Sequence, residues 1–120
     1  GKMFTKIIKY DLLLDFSDIT LYNLKIISRM SPFGIGNNRP VFRTNNCTIT
    51  EDLKFIGKES QIVKSKIQDS LLNKLPFICF DKKDELVNLK SKFDILYTVG
   101  INKYSGKEEI EIILKQICVK

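Results

Sequence analysis

The sequence has no histidine and only three cysteines and three prolines in 120 residues. Without an imidazole, no Ser/His or Cys/His nucleophilic pair can form, and the usual zinc sets are absent. Cys47, Cys79 and Cys118 stand far apart and no CxxC occurs. An odd count argues against a complete disulfide framework, and each cysteine sits in an alternating apolar segment, so all three read as small core residues. No hydrophobic run approaches the roughly 20 residues of a membrane-spanning helix. No basic start followed by an apolar block and a small-residue cleavage site marks a signal peptide. The expectation is a cytoplasmic protein without a membrane partner.

What remains is the composition of one soluble globular domain, 43% hydrophobic and 28% charged. Its length is enough to bury roughly two thirds of the surface the unfolded chain exposes. The formal charge is +6 and the basic residues are nearly all lysine. Such a balance is the electrostatic footprint of a protein that meets a polyanion. Charge alone leaves a lysine-rich composition without any such partner equally open.

Lys6 to Asp15, KIIKYDLLLD, is aliphatic and free of Gly and Pro, which predicts a strand with its far end buried on both faces. Asp18 and Thr20 offer caps, and Leu21, Leu24, Ile27 and Met30 follow at helical spacing, so Leu21–Met30 reads as a helix. Then comes SPFGIGNNRPVF, Ser31 to Phe42. Pro32 and Pro40 fix φ at its two ends, while Gly34 and Gly36 take backbone angles closed to other residues. With Asn37 they predict a stiff structural corner. A nucleotide-cradling GxGxxG would need a third glycine and a strand leading into a helix, and neither is present. Arg39 in this stretch either contacts phosphate or braces the corner against a carboxylate such as Asp15.

Beyond the corner the period changes to two. Cys47, Ile49 and Phe55 alternate with polar residues, and GKES (Gly57 to Ser60) makes a turn. Gln61 to Gln68 continues as a strand with Val63 and Ile67 on one side and Ile62, Lys64 and Lys66 on the other. Leu75 to Phe80 reads as a short buried strand, and Asp81 as the cap of a short helix through Leu89. Phe93 to Asn102 alternates again, Ser105-Gly106 signals a hairpin, and Glu109 to Val119 returns as the last strand. SGKE at Ser105 to Glu108 is no phosphate loop, because glutamate stands at the Ser/Thr position and no helix follows.

Five strands with one helix between the third and fourth is the layout of the OB-fold, a five-stranded Greek-key barrel. The predicted class is mainly β with some α, the barrel being preceded by a strand and a helix. Residues 1–36 would be the lead-in and 37–120 the barrel. OB-folds bind oligonucleotides on strands two and three and the loops joining strands one to two and four to five. Here those loops carry lysine, so Lys58, Lys64, Lys66, Lys103 and Lys107 would converge on one groove with Tyr104 placed to stack on a base. Solvated surface is the competing reading for each lysine taken singly. Alternation sends Phe77, Phe80, Phe93 and Tyr97 into the core, with Phe55 the least decided.

PFGIGNNRPVF resembles the PFGxGNxxPVF signature of the RecJ family of single-strand-specific 5′-to-3′ DNA exonucleases. FIGKESQIVK resembles that family's turn between the first two barrel strands, and FDILYTVGINKYSGKEEIEIILKQI its closing hairpin. The resemblance runs from about Ile7 to Ile117. It implies an OB domain joined to a nuclease core, with single-stranded DNA and that core as partners. It also implies Mn²⁺ or Mg²⁺ in the core, held by an Asp-His-His domain. That motif and the family's Gly-Gly-His are missing here, so the chain itself is expected to hold no cofactor and to carry out no catalysis. Two positions depart from the pattern: Asn38 stands where proline is usual, and Ile62 where the second barrel strand commonly opens with histidine. A DNA contact made by that histidine has no counterpart here. A small barrel that docks proteins is the alternative reading.

Overall fold

In the computed structural model, which describes residues 10–30 and 40–119, the chain enters through a two-residue strand β1 (Leu12–Leu13) and one turn of 3-10 helix (Phe16–Asp18). Helix α1 (Leu21–Met30) follows with the bounds its apolar spacing predicts. Thr20 is its cap, its hydroxyl accepting the Asn23 N–H at 3.0 Å. The lead-in strand is shorter than predicted within the described residues, and its far end is not buried: Leu12 is 41% and Leu13 57% exposed. The reason lies in its position, because β1 is an edge strand paired on one side only. Residues 6–9 of the expected strand, and Pro32, Gly34, Gly36, Asn37 and Arg39 of the expected corner, lie outside the described residues.

The barrel begins with β2 (Phe42–Ile49) and continues through β3 (Lys54–Ile56), β4 (Ile62–Gln68), β5 (Lys74–Phe80), helix α2 (Lys83–Val87), β6 (Phe93–Tyr104) and β7 (Lys107–Val119). The sheet order is β1-β2-β6-β7-β5-β4-β3, and a further pairing of β2 with β4 through Thr48↔Gln68 and Ile49↔Ile67 closes it. Its seven strands reduce to five staves. β1 is added at the edge, and β2 and β3 are two halves of one bent strand that both pair with β4. With β5 parallel to β7, β6 antiparallel to both β2 and β7, and α2 between the third and fourth staves, this is the predicted OB-fold.

The bend in the first stave has a local cause. Asn46 takes φ 59° and the register to β6 shifts between Thr44 and Cys47. Asparagine tolerates this left-handed conformation better than most residues. Asp94 holds the bulge by accepting the Asn46 N–H at 3.0 Å and pairing with Arg43 at 2.9 Å. The strand is thereby turned off β6 and onto β4, as closure requires.

Inward positions alternate as predicted in β4, where Val63 and Ile67 are wholly buried. In β6 the predicted alternation is overridden, because Phe93 through Thr98 are all buried, the register to β7 shifts between Leu96 and Tyr97, and Ile101 is 40% exposed. Cys47 and Cys79 are also wholly buried, as small core residues. Burial pushes the Cys47 thiol up to about 12, with Asp69 and Asp94 adding to the rise. Phe16 and Ile19 of the lead-in join the same core, Phe16 meeting Tyr97 edge-on at 6.1 Å. Each such buried side chain contributes about 1.5–3 kcal/mol of transfer free energy. Two polar ties fix the lead-in further. Thr44 Oγ1 donates to Leu14 O at 2.8 Å, and the Phe16 N–H donates to the buried carboxylate of Asp69 at 2.8 Å.

Three local expectations are corrected. Phe80 and Phe55 are not core residues, being 48% and 42% exposed. Phe80 alternates outward from the buried Cys79, and Phe55 is the middle residue of the short, exposed β3, where the Lys83 ammonium lies 5.1 Å from its ring centre. Asp81 does not cap α2. It takes φ 60° and gives its N–H to Gln61 O at 3.1 Å, which leaves Lys82 as the residue before the helix.

Candidate nucleic-acid interface

Register sets out the barrel's outer face row by row. Ile56, Ile62 and Phe80 lie side by side across β3, β4 and β5. Beside them run Lys54, Lys64 and Ile78, the last aligned with Ile113 of β7. Next come Lys66 and Pro76. Because Val63, Phe77 and Cys79 point fully inward, these rows must face out.

Lys64 and Lys66 therefore share one face, as the sequence predicts, and they line a groove of about 240 Å³ with Lys54, Pro76 and Asn102. The groove is not simply basic. Glu51, Asp52, Glu109 and Glu111 line it as well. Lys64 Nζ lies 3.6 Å from Glu111 and Lys66 Nζ 3.8 Å from Glu51. The half-exposed Lys66–Glu51 pair is worth about 0–1 kcal/mol, so it holds its lysine loosely. In the Lys64–Glu111 pair the carboxylate is only 14% exposed. Asn102 fixes Glu111 more firmly, its amide donating to Oε1 at 2.8 Å.

The other predicted lysines do not all share this face. Lys58 sits exposed in the turn Gly57–Ser60, which is closed by the Ser60 N–H on Gly57 O at 3.2 Å. Lys103 and Lys107 flank the β6–β7 hairpin, where Ser105 (φ 47°) and Gly106 (φ 81°) make the tight turn the sequence signals. Lys107 pairs with Tyr104 and Lys103 with Glu108, so alternation places Lys107 on the side of Glu109 and Lys103 on the opposite side. The side chain of Tyr104 lies outside the described residues. Pro40 is half-buried, and just after it the Val41 N–H donates to Asp11 Oδ2 at 2.8 Å, so the described end of the corner is braced by Asp11. Arg43 is committed internally, to Asp94, to Asn45 Oδ1 at 2.7 Å and over the Tyr10 ring.

Sequence reasoning missed Lys54 and Phe80. Lys54 reads only as one of the polar residues alternating with Phe55, with no lysine two positions away to mark a basic face. Phe80 carried a usable signal, because it is two residues from Ile78 and so shares a face with it, opposite to Phe77. A larger hollow of about 430 Å³ lies where α2 meets the end of β2, with an apolar floor of Ile49, Leu53, Leu86, Leu89 and Phe93 and with Lys90 and Lys92 beside it. Among the described residues no group of three or more His, Cys, Asp or Glu is placed to hold a metal ion. Nor is any described helix long and apolar enough to cross a membrane.

Among solved structures the fold is similar to the mitochondrial single-stranded DNA binding protein Rim1 of S. cerevisiae. The TM-score is 0.52 at 8% identity, over 68% of this chain and 96% of that one. The SSB domain of a Synechococcus sp. protein aligns with a TM-score of 0.48 at 9% identity, over 70% of this chain and 97% of that one. In sequence the chain is 25% identical over 118 residues to the single-stranded-DNA-specific exonuclease RecJ of Bacillus subtilis (strain 168). That alignment takes in 97% of this chain and 15% of the relative, so the chain spans about a seventh of the length of the curated protein it matches. Residues 10–116, which contain the whole barrel apart from the last residues of strand β7, match the family described as the RecJ OB domain, and the chain belongs to that family.

Proposed function

We propose that this chain is the non-catalytic, single-stranded-DNA-binding part of a RecJ-like single-stranded-DNA-specific 5′-to-3′ exonuclease of DNA repair and recombination, acting in the cytoplasm. The observation that carries the reading is a closed barrel of the RecJ OB family whose outer β3–β4–β5 face presents Lys54, Lys64 and Lys66 in adjacent rows. The curated relative's specificity for single-stranded DNA supports it. Lysine ammonium groups neutralise phosphates without reading bases, so binding tolerates any sequence. The hydrolytic metal, Mn²⁺ or Mg²⁺, belongs to the nuclease core of the longer protein. In that protein the lead-in and the corner through Pro40 set the barrel's angle to the core.

Fluorescence anisotropy of labelled oligo-dT at low and moderate salt tests the reading. With about four phosphates engaged, the log-log salt slope is roughly −3. Lys64→Glu with Lys66→Glu should abolish the salt-sensitive binding. Failure to bind any oligonucleotide at low salt overturns the proposal. In that event the protein-docking alternative gains, and the exposed Leu71 and Leu72 at the β4–β5 turn are its natural contact. Metal-dependent nucleotide release by the purified chain would overturn the non-catalytic assignment.

A further inference from the structure

Of the three side chains that register aligns across β3, β4 and β5, Phe80 is 48% and Ile56 44% exposed, with Ile62 half-buried between them. An exposed apolar row on an open sheet face is a surface that something else covers. Its charged surroundings identify the occupant. Lys54 and Lys64 form the adjoining row, and Lys115 stands exposed one position beyond the last β5–β7 pair, Cys79↔Leu114, where Phe80 also lies. The described carboxylates of this region lie to either side of the row. Glu51, Asp52, Glu109 and Glu111 line the ion-paired groove, while Glu59, Asp81, Asp84 and Glu85 gather with Lys82 and Lys83 toward α2. A polyanion crossing the sheet meets least repulsion along the apolar row itself.

From this partition we infer that a single nucleic-acid strand crosses the barrel on the Ile56–Ile62–Phe80 row, with a base stacked on the Phe80 ring and Lys54 and Lys115 facing the flanking phosphates. The inference rests on the DNA-binding reading above and specifies the contact within it. The strand runs beside the groove at Glu51 and Glu111 rather than down it, so Lys64 and Lys66 reach its phosphates on releasing those carboxylates. None of the three row side chains carries a polar atom, so nothing there reads a base edge. The row requires that a base be present and is indifferent to which one.

The chain contains no tryptophan, so Phe80→Trp places one fluorescent indole on the row. Two probes of equal length and charge are titrated by anisotropy: oligo-dT of about 15 nucleotides, near the upper end of an OB-fold footprint, and a fully abasic strand. Wild type and Phe80→Trp should bind oligo-dT more tightly than the abasic strand, and the indole emission should be quenched by oligo-dT alone. Phe80→Ala should bind oligo-dT roughly ten-fold more weakly and no longer distinguish the two probes. Tyr22→Trp, on the 73% exposed Tyr22 of α1, reports any unspecific quenching and should not respond. Because Phe80 is half-exposed, its replacement leaves the core intact, and Phe80→Tyr should restore the discrimination. If Phe80→Ala still prefers oligo-dT, or the indole stays silent while anisotropy reports binding, the row is not the track, although DNA binding stands. If neither probe binds any variant at low salt, the DNA-binding reading falls, and this inference with it.

Discussion

Lys64 and Glu111 meet at 3.6 Å although they belong to β4 and β7, the strands on either side of β5. Their side chains must reach toward each other over the outer face of β5, where Pro76 and Ile78 lie. A phosphate that engages Lys64 has to displace a carboxylate first. Glu111→Gln removes the competing charge while its amide oxygen can still accept from Asn102. The expected result is tighter oligo-dT binding with a salt slope steeper by about 0.7, the increment for one further phosphate on a single strand. A salt series by anisotropy on both proteins checks it.

Asp69 is only 3% exposed and accepts three backbone N–H groups, from Phe16 at 2.8 Å, Leu71 at 3.1 Å and Asn73 at 2.9 Å. It ties the β4–β5 turn to the lead-in. Asp69→Ala strands those donors and should destabilise the fold by about 3 kcal/mol. Asp69→Asn, which keeps an acceptor, should cost less. Urea unfolding of both variants measures the difference.

Alkaline stability follows from two thiols. Burial pushes Cys47 up to about 12 and Cys79 up to about 11, the latter moderated by Lys82. Burial raises the Tyr97 phenol as well. A group whose ionisation is suppressed by folding stabilises the native state fully below its unfolded pKa and loses that contribution as pH rises through the folded value. Stability should therefore hold to about pH 8.5, the unfolded thiol value, and then fall by about 1.4 kcal/mol per pH unit for each thiol. Denaturation midpoints from pH 8 upward read this, and Cys47→Ala should flatten the decline. At neutral pH, iodoacetamide should label the half-buried Cys118 before Cys47 or Cys79.

Leu72 takes φ 70° while 74% exposed, and Ser105 takes φ 47° at the hairpin tip. Asparagine accepts this region more readily than either residue, and Asn-Gly is favoured where both hairpin residues have positive φ. Leu72→Asn and Ser105→Asn should each raise stability by about 0.5 kcal/mol. Thermal melts detect a gain of that size as an upward shift of a few degrees.

Local chemistry along the chain determined the elements. Thr20 with the 3.6-residue spacing set the bounds of α1, Gly57 and Ser105-Gly106 set the two hairpin turns, and alternation put Val63 and Ile67 inside while Lys64 and Lys66 faced out. The order of those elements, with the PFGIGNNRPVF stretch, was enough to place the chain in its family, because both depend only on neighbours in sequence. Tertiary structure alone decided the character of the face. Glu51 and Glu111 lie far from Lys66 and Lys64 in sequence: Glu51 reaches Lys66 because β2 bends off β6 and closes onto β4, and Glu111 reaches Lys64 because β5 pairs with both β4 and β7. The parity of Phe80 with Ile78, opposite Phe77, is written in the sequence, but only closure sets it beside Ile62 and leaves that side of the row uncovered. Burial and charge pairing are properties of strands brought together by closure, and a linear pattern cannot hold them.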